Sequence, residues 1–158
     1  MQGDQGVTGQ AAGPVWPSAT PPPADPALSW DLQEGAELPG VRAELRRHAM
    51  AHPGRPTTLG AHDRADDLRD QLILALDEMA SNALRHGGGR VRAAVRLTAD
   101  AYLIEVSDQA ASAPPAPAVD RDPSEGGLGL YLIAEMATAH GWYVHDGLKY
   151  VWALLPRG

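Results

Sequence analysis

The chain has 158 residues, no cysteine and a formal charge of −7. This excludes disulfides, thiolate metal sites and cysteine nucleophiles, and argues against direct nucleic-acid or acidic-membrane binding, which needs clustered Lys and Arg. The length suits one domain with a tail; no apolar run approaches the roughly 18 residues of a membrane span, no signal peptide is visible, and the expected location is cytoplasmic.

Residues 1–26 are mostly Gly, Gln, Ala, Ser, Thr and Pro, with Pro21-Pro22-Pro23 near the end. Too little apolar surface is present there to offset the entropy of ordering. They read as a disordered tail carrying an exposed Trp16, or as a polyproline ligand for a partner, and the domain proper is expected over 27–158. Residues 27–33 alternate Leu28, Trp30 and Leu32 against Ser29 and Asp31, which predicts a short strand with one buried face. A helix is expected over 41–51, between Pro39-Gly40 and Pro53-Gly54, with Val41 and Leu45 toward the core. A loop over 54–62 follows.

The next stretch organises the chain. Apolar residues recur at Leu68, Leu72, Leu76, Met79, Ala80 and Ala83, one buried stripe of a helix that Asp63 or Asp66 can cap and Gly87-Gly88-Gly89 ends. At 100° per residue, Glu78 and Asn82 fall roughly 200–240° around from Leu76, so they share a second face one turn apart. A carboxylate there can take a proton, and an amide oxygen is a hard ligand suited to magnesium. A solvated polar face is the alternative reading of the same spacing.

Residues 90–98 alternate Val91, Ala93, Val95 and Leu97 against Arg90, Arg92, Ala94 and Arg96; residues 102–107 alternate again after a tight turn, so the two read as an antiparallel hairpin with a solvated arginine face. Residues 108–125 break all periodicity, with Pro114-Pro115 and Pro117 inside them. A loop of that length in a compact domain is functional or disordered. Gly126-Gly127-Leu128-Gly129 then opens a helix expected over 130–140, and glycines at a helix start let backbone N–H groups approach an anion. Strands at 142–145 and 150–155 flank an Asp146-Gly147 turn. The order βααββαββ predicts an α+β two-layer sandwich, with about three helices covering one face of a mixed, mostly antiparallel sheet.

With these stretches in hand, the chain resembles the GHKL superfamily of ATP-binding domains, the Bergerat fold. Within it, the resemblance is to the bacterial anti-sigma-factor serine kinases. It covers residues 28–155 and rests on Glu78-x-x-x-Asn82-Ala83 continuing Leu84-Arg85-His86-Gly87, on Gly127-Leu128-Gly129-Leu130, and on Gly147-x-Lys149-x-Val151-Trp152. The resemblance implies ATP and Mg²⁺ as cofactors. Asn82 would hold the metal, Glu78 would be the catalytic base, and Asp108 would accept a hydrogen bond from the adenine amino group. Gly127, Leu128, Gly129 and Leu130 would line the phosphates, and residues 110–126 would form the lid. Arg85 and His86 would sit near the pocket, or simply complement the helix dipole. One departure stands out: where the family has Asp-x-Gly-x-Gly, this chain has Asp108-Gln109-Ala110-Ala111-Ser112. Two functions follow as expectations. One is a protein serine kinase that binds a sigma factor and phosphorylates a small antagonist protein, a homodimer being one assembly open to it. The other is a nucleotide-sensing or partner-binding module that has lost phosphoryl transfer.

Overall fold

The computed structural model describes residues 16–51, 61–87, 89–115 and 128–157. Five strands form one sheet: β1 (Asp25–Leu32), β2 (Val91–Leu97), β3 (Ala101–Asp108), β4 (Ala139–His145) and β5 (Leu148–Pro156), in spatial order β1-β2-β3-β5-β4. Every ladder between them is antiparallel, so the sheet expected to be mixed and mostly antiparallel has no parallel pair among these five strands. The Asp146-Gly147 turn joins β4 to β5 with φ of 51° and 78°, the two positive values that the twist of a two-residue hairpin favours.

Three helices lie on one face: α1 (Leu38–Ala51), α2 (Ala61–His86) and α3 (Leu128–Met136). The period-2 pattern decides which strand residues meet them. Val91, Ala93, Val95, Tyr102, Ile104, Val106, Val151, Ala153 and Leu155 join a core with Leu72, Leu76, Met79 and Ala83 of α2 and Leu130 and Ile133 of α3. The whole apolar stripe read from the sequence of α2 is buried. α1 is tied to its neighbours by polar contacts: Arg42 Nη1 lies 2.5 Å from Asp77 Oδ1 on α2, and the Trp30 indole N–H of β1 donates to Glu44 Oε1 at 3.0 Å. Before α1, the N–H groups of Gln33 and Glu34 donate to Glu37 Oε1 at 2.6 and 2.9 Å and hold its carboxyl below the ordinary range.

Several boundaries differ from the sequence reading. α1 begins at Leu38, because Pro39 and Gly40 fall in its first turn, where a missing N–H costs nothing. α3 stops at Met136, and β4 begins at Ala139, because residues 139–141 pair with 152–154 of β5. The expected loop over 54–62 lies largely outside the described residues.

Residues 16–26 are not a free tail. Trp16 is 6% exposed and belongs to the core cluster, its ring edge-on to His140 at 4.7 Å. Trp142 N–H donates to Pro17 O at 3.0 Å, and Ala19 N–H donates to Trp142 O at 2.9 Å, a short parallel bridge along the outer edge of β4. The Trp152 indole N–H then donates to Ala19 O at 2.8 Å. Asp25 already pairs with Leu97 in β1, on the opposite edge of the sheet. Residues 20–24, Pro21-Pro22-Pro23 among them, connect these two borders, so the segment is a strap across the sheet rather than a disordered ligand. Residues 1–15 lie outside the described residues.

Candidate functional site

The site forms where the C-terminal half of α2, the N-terminus of α3 and the end of β3 converge. Glu78 and Asn82 are both half-buried on the α2 face that the spacing assigned to them. The neighbour that meets Glu78 is Gly129, in the first turn of α3. A Cβ at Gly129 would stand 2.2 Å from Glu78 Oε1 and 2.7 Å from its Cδ, so only bare backbone admits the carboxylate here. A negative group at that helix start also suits the N–H groups and dipole of the first turn. The two sequence motifs, 51 positions apart, are thus one surface.

A second close approach lies at the other end of the site. A Cβ at Gly87 would stand 2.5 Å from Asp108 Cγ and 2.6 Å from Oδ2. The glycine that ends α2 therefore lets the last residue of β3 reach the helix end. Asp108 is 3% exposed. Its Oδ1 accepts the Ala110 N–H at 2.8 Å, and its Oδ2 faces Lys149 Nζ at 3.7 Å. Lys149, 7% exposed, donates to Ala113 O at 2.8 Å. The register explains the pairing: Asp108 and Lys149 are opposite residues in the β3–β5 ladder.

The departure at Ala110 carries no backbone strain. Among the described residues the only non-glycine with positive φ is Asp146, so Ala110, Ala111 and Ser112 follow paths any residue adopts. Ala113 N–H closes a turn onto Ala110 O at 3.1 Å.

Of the other candidate residues, Leu130 is buried in the core, and Arg85 and His86 are exposed in the last turn of α2, directly before Gly87. Leu128 opens α3 in its backbone. Gly127 and most of the expected lid, residues 116–126, lie outside the described residues. Lys149 was visible only as part of a motif and had no role assigned. Its signal was compositional: it is the only lysine in a chain with twelve arginines.

The residues present fit a nucleotide with a divalent cation in a specific sense. Among the described residues no cluster of three His, Cys, Asp or Glu could cage a metal by itself. Asn82 offers one hard oxygen, and magnesium is commonly held by one or two protein ligands together with substrate phosphates. The glycine at the start of α3 leaves backbone N–H groups open to an anion beside Glu78.

A separate concavity lies elsewhere. Its volume is about 820 Å³, on the helix-free face of the sheet, and Arg90, Arg92, Arg96, Ser107 and Tyr150 are among its lining residues. There Arg96 Nη2 lies 3.1 Å from Glu105 Oε1, and the Tyr143 hydroxyl donates to Glu105 Oε2 at 2.6 Å. Burial, and then the Glu105 bond, push the Tyr143 hydroxyl well above the ordinary tyrosine range. This cluster satisfies a buried carboxylate and shares no residue with the Glu78 site.

No helix among the described residues is long and apolar enough to cross a membrane. No curated protein matches the chain. The family model for the histidine kinase-like ATPase domain matches residues 36–153, which span α1 to β5 and contain Glu78, Asn82, Asp108, Gly129 and Lys149. With the α+β two-layer fold and the convergence of these residues, the chain belongs to the histidine kinase-like ATPase domain family, an ATP-binding domain of the GHKL type.

Proposed function

We infer that the protein is an ATP-dependent protein serine kinase of the anti-sigma-factor type, acting on a small antagonist protein and controlling transcription through partner binding. The observation that carries this reading is the seating of the Glu78 carboxylate on the bare backbone of Gly129, one helical turn from Asn82. That contact sets a proton acceptor beside a helix start suited to phosphate. In the proposed reaction the serine hydroxyl of the antagonist bonds to the γ-phosphorus as the bond to ADP breaks. Its proton goes to Glu78. Asn82 would hold magnesium, whose chemistry is to neutralise charge across the phosphates. Asp108 would accept a hydrogen bond from the adenine amino group.

A second reading, a nucleotide-sensing or partner-binding module without transfer, is favoured by one observation: Ala110 and Ser112 stand where the family has glycines. Calorimetric titration with ATP, with and without magnesium, separates the readings in its first step. The kinase reading expects micromolar to millimolar binding, about −8 to −4 kcal/mol, that strengthens with magnesium. Phosphoryl transfer is then followed with the antagonist captured by crosslinking, with Glu78→Gln as control. Binding without transfer leaves the sensor; no binding at several millimolar Mg-ATP leaves a nucleotide-free partner-binding scaffold.

A further inference from the structure

We propose that Lys149 reads the nucleobase: its ammonium donates to N1 of adenine while Asp108 accepts from the neighbouring amino group, so that the pair recognises the Watson–Crick edge of the base. The inference rests on the nucleotide-binding reading above and deepens it by assigning the specificity of the same site.

Three observations converge on it. Lys149 is the only lysine of the chain, and it is buried where lysine is costly to bury. An ammonium has three donors. Among the described residues Lys149 makes one hydrogen bond, to Ala113 O, while Asp108 Oδ2 at 3.7 Å is an ion-pair partner beyond hydrogen-bond range. Donor capacity is therefore left beside Asp108. The ladder also sets the acceptor and the donor side by side, since Asp108 and Lys149 are directly opposed across β3 and β5. Adenine presents the complement along one edge, an amino donor beside a ring-nitrogen acceptor.

The same ammonium holds the Ala113 carbonyl, in the loop that follows β3. Base recognition is thereby coupled to the position of the Ala110–Ala113 turn, since one group serves both partners.

The test compares ATP with 1-deaza-ATP, which has C–H in place of N1, on wild type and Lys149→Met, each with magnesium. Wild type is expected to bind ATP about ten- to a hundredfold tighter than the analogue, the scale of a hydrogen bond from a charged donor. Lys149→Met should bind the two alike. A lysine that merely supported the fold would lower both affinities by the same factor and keep their ratio. Because there is one lysine, protein made with isotope-labelled lysine gives one side-chain nitrogen resonance. It should move with ATP and stay with 1-deaza-ATP, a readout that survives if the Met variant does not fold. Equal binding of ATP and the analogue to wild type overturns the proposal while leaving nucleotide binding intact. Failure of wild type to bind ATP at all overturns the nucleotide reading, and this assignment with it.

Discussion

Replacing Trp16 by alanine tests whether the N-terminal strap is part of the domain. The side chain is 6% exposed within the core cluster, and its ring meets His140 edge-on at 4.7 Å. Truncating a buried tryptophan to alanine costs about 3–5 kcal/mol, from lost transfer energy and the cavity left behind. In a chain of this size each kcal/mol lowers the melting temperature by about 2–4 °C, so Trp16→Ala should melt roughly 6–20 °C below wild type. Among the described residues the indole Nε1 has no hydrogen-bond partner, so it is a buried polar group that burial penalises. Trp16→Phe removes that group and keeps most of the volume, and its cost should stay below about 1.5 kcal/mol. Thermal melts by circular dichroism measure all three proteins. An alanine variant within ~2 °C of wild type, or a phenylalanine variant as unstable as alanine, would refute the buried strap.

Glu78→Ala should keep ATP affinity and slow phosphoryl transfer by about 10²–10⁴, whereas Asn82→Ala should abolish the magnesium dependence of binding; equal metal dependence in Asn82→Ala and wild type removes the metal role from Asn82. Gly129→Ala should barely alter the melting temperature but displace the Glu78 carboxylate, whose Oε1 lies 2.2 Å from the new Cβ, and so lose transfer as Glu78→Ala does; transfer at the wild-type rate would mean that this contact does not position the base. Leu76→Ala, on the buried stripe, should cost about 2–5 kcal/mol in the same melts and leave the metal dependence alone. The raised Tyr143 hydroxyl gives a pH signature: the folded state keeps its proton above the unfolded value of about 10, so its contribution is complete below that pH and is lost as pH rises. Tyr143→Phe should flatten this alkaline decline in stability, and an unchanged slope would contradict the assignment.

The sequence made α2 legible because its stripe is long and amphipathic, and packing and propensity agree there. Glu78 and Asn82 could be assigned to one face from spacing alone. The hairpin turn at Asp146-Gly147 was legible because it needs two positive φ values, and these residue types supply them. Residues 16–26 were not legible, because an extended strap has no periodicity. Its order comes from three hydrogen bonds to Trp142 and Trp152, over a hundred positions away, and from one buried ring. Lys149 had no role assigned for a related reason: only the partner strand shows that it stands opposite Asp108. Neither strand holds that information by itself.

The strap also governs what the sheet presents to other chains. An open sheet offers unpaired N–H and C=O groups along both outer strands, a template for aggregation. Residues 17–19 occupy the β4 border, taking Trp142's hydrogen bonds in both directions. At the β1 border, the same segment ends in exposed Asp25 and Pro26 with a register shift before Leu28, and Asp31 is exposed further along. Proline, charge and a bulge are the ordinary means of blunting a border strand. One continuous stretch of eleven residues thus guards both rims of the sheet, so a protein clipped within it would be at risk of polymerising through β4 as well as being less stable.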